Sequence, residues 1–122
     1  MPAAVATILT VDDASFVRRW CAAVLGKAGH RVVEAAGGDE GIQLYKVHKP
    51  DVVLLDVLMP EKDGLAVLKE LREHDPEARV VMLTTHGQLD TVREAEQLGA
   101  RDFLVKPCGG DLLLSAVQRA LA

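Results

Sequence analysis

Aromatic residues are nearly missing from this chain: two Phe, one Trp and one Tyr make up 3% of 122 residues. A core without them has to be assembled from Val, Leu, Ala and Ile, and a 49% hydrophobic content supplies enough. Cysteine is scarce as well. Cys21 and Cys108 form neither a disulfide framework nor a zinc-ligand spacing, which fits a reducing interior. No apolar run approaches the ~20 residues of a membrane span, and the N-terminus carries no basic-then-apolar secretory pattern. Positive charge is not in excess: 14 Lys+Arg against 18 Asp+Glu leave a net charge of −4. That balance argues against nonspecific binding to nucleic acid or to an anionic membrane. Repeats, linkers and low-complexity stretches are absent. The expectation is one cytoplasmic domain, residues 1–122, with its own core.

What the chain does contain is a short apolar run followed by an amphipathic stretch, five times over. The runs are Val5–Val11, Arg31–Ala35, Val52–Leu55, Val80–Leu83 and Phe103–Val105. Short, β-branched and closed by polar residues or Gly, they predict buried strands of a parallel sheet. Between them apolar residues recur every three to four positions, as at Phe16, Val17, Trp20, Cys21, Val24 and Leu25. Gly26 and Gly29 predict the end of that first helix, and Trp20 is expected in the core. Similar stripes run through Ile42–Val47, Leu65–Leu71, Leu89–Leu98 and Leu112–Leu121. Alternation of this kind predicts an α/β fold, a doubly wound parallel sheet of five strands with five helices on both faces.

Such a sheet binds its ligand at the carboxyl ends of the strands. Those ends carry Asp12–Asp13, Asp56, Thr84–Thr85 and Lys106–Pro107. Each has a plainer reading by itself: Asp13 as a helix cap, Asp56 as a turn residue, Thr84 as a buried strand residue, Lys106 as a solvated charge. Together, at the ends of four of five strands, they make a site. Three carboxylates in one place need a cation, and Mg²⁺ suits one or two carboxylates plus waters. Lys106 adds an ammonium and Thr84 a hydroxyl, so an anionic phosphoryl group fits among them with Asp56 as nucleophile.

At these residues the chain resembles the receiver domain of two-component response regulators, over nearly its whole length. The resemblance is carried by Val11-Asp12-Asp13, by Asp51–Gly64 (DVVLLDVLMPEKDG), by Val81–Thr84 (VMLT) and by Gly99–Pro107 (GARDFLVKP). It implies a flavodoxin-like sheet order 2-1-3-4-5 and a phosphorylation-dependent switch that is not an enzyme in its own right. It implies Asp56 as phospho-acceptor and Mg²⁺ held directly by Asp13 and Asp56, through water by Asp12, and by the backbone carbonyl of Leu58. It implies Thr84 as switch hydroxyl, Phe103 as aromatic switch, Lys106 as partner of the phosphoryl group and a cis Lys106–Pro107 bond. The implied partners are a sensor histidine kinase or phosphotransfer protein, and an output partner on the face of the fourth helix, fifth strand and fifth helix. Direct binding to nucleic acid or membrane is not expected.

Other readings are weaker. A Mg²⁺-dependent phosphohydrolase needs an acid two residues after its nucleophile, and Leu58 stands there. A flavodoxin-like cofactor binder needs a phosphate loop after strand 1, where Asp12 and Asp13 would repel phosphate. A degenerate receiver used only for docking would not need every acid, the Thr and the Lys. Departures from the family's usual pattern are Thr85 in place of a small residue and Cys108 in place of Phe, followed by Gly109–Gly110. Cys108 is expected as a small buried filler. The four histidines do not cluster, and most are expected at the surface.

Overall fold

In the computed structural model, which describes residues 5–122, the apolar runs become strands. They are β1 (Thr7–Val11), β2 (Arg31–Ala35), β3 (Val52–Leu55), β4 (Val80–Thr84) and β5 (Asp102–Val105). The stripes become α1 (Ser15–Lys27), α2 (Gly38–His48), α3 (Gly64–His74), α4 (Leu89–Gln97) and α5 (Gly110–Leu121). The strands pair in parallel in the order β2-β1-β3-β4-β5. The order reverses between β1 and β3, so the crevice of the doubly wound sheet opens above the ends of those two strands.

Both faces of the sheet are covered, which is why β3 and β4 are apolar at nearly every position rather than alternating. One face packs Ile8, Val52, Leu54, Val81 and Leu83 against Cys21 and Leu25 of α1 and against α5. The other packs Leu9, Val53, Leu55, Val80 and Met82 against α2, α3 and α4. Successive strand residues serve opposite layers, as the pleat requires. Asp63 caps α3 by accepting the Ala66 N–H at 2.9 Å. The turns into β2 and β5 pass through Gly29 and Gly99, whose φ values of +91° and +98° favour glycine. The Lys106–Pro107 bond is cis, as the resemblance implies.

Several expectations need correction. β1 begins at Thr7, and Val5 is exposed ahead of it. Gly26 lies inside α1, which continues to Lys27, so only Gly29 acts as the stop. Phe16 and Trp20 do not belong to the core: they are 75% and 36% exposed. Helical periodicity cannot separate them from Val17 and Cys21, because a wide apolar stripe has edges that overhang the buried face. His30 is buried, its Nδ1 accepting the Ala6 N–H at 3.2 Å, which ties the turn before β2 to β1.

Candidate functional site

The sheet ladders run one residue past the ends of β1, β3 and β5, and this fixes the backbone of the acidic rim. The Asp12 N–H donates to Ala35 O at 3.1 Å, the Asp56 N–H to Val11 O at 3.0 Å and the Lys106 N–H to Thr84 O at 2.8 Å. Asp12 and Asp56 therefore leave neighbouring strands side by side, and Lys106 leaves β5 two strands over, beyond Thr84 at the end of β4. Carboxylate oxygens of Asp12, Asp13 and Asp56 lie within 4.8 Å of one another. Asp12 is 2% exposed and Asp56 6%, whereas Asp13 faces solvent.

Lys106 Nζ sits 2.6 Å from Asp12 Oδ2 and 3.5 Å from Asp56 Oδ2. Asp12 Oδ1 accepts the Ala14 N–H at 2.9 Å, and Asp56 Oδ1 accepts the Leu58 N–H at 3.3 Å. Burial pushes the Asp12 carboxyl above its ordinary range, and the Asp56 charge adds to the rise. The hydrogen bonds from Lys106 and Ala14 pull the other way. Asp13 is not the helix cap: Ala14 takes the N-cap position with no side-chain hydrogen bond, and Asp12 accepts from it instead. That leaves the Asp13 carboxylate for the rim.

Thr84 is fully buried at the end of β4, and its Oγ1 accepts the His86 N–H at 3.2 Å. Phe103 is half-buried and lines a cavity of about 290 Å³ with Val92, Ala95 and Ala100. Leu58 is 51% exposed beside Asp56, Thr85 is exposed and His86 is half-buried. Cys108 is only half-buried, because the loop before α5 stands off α1 and leaves a cleft of about 430 Å³ lined by Phe16, Trp20, Lys106 and Cys108. Gly110 is not loose: a Cβ there would stand 3.3 Å from Val24, so this glycine lets α5 approach α1 closely.

The rim thus brings together Asp12, Asp13, Asp56 and Lys106, with Thr84 at the end of the next strand. Hard oxygen donors in this number suit Mg²⁺ or Ca²⁺ rather than a soft metal. Two neighbours escape a reading of the sequence. Arg18 Nη1 donates to Asp12 O at 2.6 Å, and its Nε pairs with Glu34 Oε1 at 3.3 Å. An arginine one turn into a helix looks like solvated charge, so no signal in the sequence marks it.

The sequence profile described as the response regulator receiver domain matches residues 8–118. This chain is a response regulator receiver domain. It is 44% identical over 115 residues to the chemotaxis protein CheY of Bacillus subtilis, covering 93% of this receiver and 96% of the relative. It is 35% identical to the sporulation initiation phosphotransferase F of the same organism, covering 93% of one and 92% of the other. Among solved structures, the CheY of Borrelia burgdorferi in a CheX–CheY–BeF3–Mg²⁺ complex superposes on this receiver with a TM-score of 0.91. That similarity comes at 32% identity and covers 95% of this chain and 89% of that one. Among the described residues, no helix of the receiver is long and apolar enough to cross a membrane.

Proposed function

We propose that this receiver is a phospho-accepting switch and not an enzyme in its own right. A carboxylate oxygen of Asp56 attacks the phosphorus of a phosphohistidine on a sensor kinase or phosphotransfer protein. The P–N bond breaks, the imidazole leaves, and an acyl phosphate forms on Asp56. The observation that carries the reading is the convergence of three carboxylates within 4.8 Å, with one ammonium reaching both buried ones.

The donor set fits Mg²⁺, which would be held by Asp13 and Asp56, through water by Asp12, and by the Leu58 carbonyl. Bound there, it supplies positive charge against the phosphoryl oxygens. Lys106 moves its ammonium toward the same oxygens, and Thr84 turns its hydroxyl to them. Phe103 then moves into the space left behind, changing the face of α4, β5 and α5 on which an output partner docks. The BeF3 and Mg²⁺ named with the CheY of Borrelia burgdorferi support this assignment by similarity. The reading puts the receiver in the cytoplasm, with no direct contact to nucleic acid or membrane.

The test is Asp56→Asn. An amide keeps the shape but is a far poorer nucleophile, so incorporation from acetyl phosphate in Mg²⁺, read by Phos-tag electrophoresis, should vanish while the far-UV spectrum stays unchanged. Labelling of Asp56→Asn at the unsubstituted rate would refute the assignment.

A further inference from the structure

Every polar group of Asp12 has a partner, and one of these partners is a side chain from outside the acidic rim. The main-chain N–H donates to Ala35 O at 3.1 Å, and the side-chain oxygens accept from Ala14 and Lys106. The main-chain carbonyl accepts from Arg18 Nη1 at 2.6 Å. The same guanidinium reaches Glu34 Oε1 at 3.3 Å, at the end of β2. Arg18 is held between them, its side chain 16% exposed against 39% for Glu34. The turn from β1 into α1 is thereby clamped to β2 by a planar fork.

We propose that Arg18 is a positioning residue that sets the cation selectivity of the site through the Asp12 carbonyl. The inference rests on the cation reading given above. Mg²⁺ demands near-ideal octahedral geometry, whereas Ca²⁺ tolerates longer bonds and irregular shells. A turn that holds Asp12 and Asp13 at a fixed spacing favours the smaller ion. A loosened turn still offers the same carboxylates, and Ca²⁺ adapts to them. Groups that orient first ligands commonly affect metal affinity by about tenfold or more. The fork matters as well as the charge, since a lysine at this position cannot bond the carbonyl and Glu34 in the same planar geometry.

The experiment titrates MgCl2 and CaCl2 separately into the unphosphorylated protein, following the Asp12 and Asp13 amide signals by NMR. The variants are Arg18→Gln, Arg18→Lys and Glu34→Gln. Arg18→Gln should weaken Mg²⁺ about tenfold and Ca²⁺ less than twofold, with Arg18→Lys close behind. Glu34→Gln, which keeps the Arg18 bond to the Asp12 carbonyl but removes the charge it pairs with, should lose part of the same discrimination. A purely electrostatic role predicts that Arg18→Gln strengthens both ions alike, and that result overturns the proposal. So does a lower melting temperature with an unchanged Mg²⁺/Ca²⁺ ratio. Absence of a saturable Mg²⁺ response in the unsubstituted protein overturns the cation reading and takes this inference with it. Normal Mg²⁺ binding there with unaltered ratios in all three variants overturns the inference alone.

Discussion

Lys106 is bonded to Asp12 at 2.6 Å and stands off Asp56 at 3.5 Å, so the resting ammonium belongs to the deeper acid. On the proposed reading, a cation held by these acids would compete with it there. Removing one partner of a buried pair leaves an uncompensated charge, which costs about 3–5 kcal/mol. Lys106→Ala should therefore destabilise the metal-free protein by about 3 kcal/mol, and saturating Mg²⁺ should recover part of that loss. Urea unfolding with and without Mg²⁺ measures both. Equal losses in the two conditions would show that ammonium and cation do not share Asp12.

On the proposed reading, the lifetime of an acyl phosphate on Asp56 would depend on water reaching phosphorus opposite that residue. Leu58, whose N–H meets Asp56 Oδ1, is half-exposed beside that carboxylate and cannot hold a water by side-chain hydrogen bonding. The phosphorylated form should be long-lived, and Leu58→Asn should shorten its life about tenfold, equivalent to about 1.4 kcal/mol of barrier. Loss of phosphoryl from purified protein in excess Mg²⁺ reads this. Rapid decay that His86→Ala slows would instead make the imidazole the controlling group.

Gly64 is irreplaceable for a steric reason. A Cβ there would lie 1.9 Å from Asp56 O and 2.9 Å from Val57 Cα, both main-chain atoms with no freedom to swing away. Gly64→Ala should cost about 3 kcal/mol by overpacking and displace the acceptor's own peptide. The folded fraction should then phosphorylate slowly. Full stability together with a normal rate would contradict this.

At the opposite end of the sheet, Tyr45 Oη donates to Asp75 Oδ2 at 2.7 Å. That bond holds the Asp75 carboxyl below its ordinary range, with the Glu77 N–H adding to the effect. A carboxyl lowered in the folded state contributes stability above its unfolded value near 3.8, and this is lost as pH falls through the folded value. Tyr45→Phe should cost about 1 kcal/mol at neutral pH, and the gap should close below pH ~3.8. Denaturation midpoints across that range test the sign. A gap that widens in acid would contradict it.

The strands were legible because Val-rich runs such as Val52–Leu55 have no other home than a doubly covered sheet, and their polar ends marked the rim. The sheet order came from the family resemblance, since pairing between β1 and β3 leaves no local mark on either strand. The acids, Thr84 and Lys106 were legible by type and place. Their partnerships were not, because Lys106 has several acids within reach and only tertiary packing decides between Asp12 and Asp56. Phe16 and Trp20 misled for a related reason: apolar character records a preference for burial, but a helix edge beside an open cleft leaves it unmet. Arg18 looked ordinary because its role lies in a bond to a main-chain oxygen, which no side-chain pattern encodes.

The hydrogen bond from His86 N–H to Thr84 Oγ1 has a consequence for noise. A switch that turns Thr84 inward must first release this latch, which is worth about 0.5–1.5 kcal/mol net. On the proposed switch reading, that sum would keep a spontaneous, unphosphorylated excursion into the active arrangement some two- to tenfold rarer than with an unlatched loop. On the same reading the loop after β4 would damp false signalling, its threshold written in one peptide N–H rather than in the acidic rim.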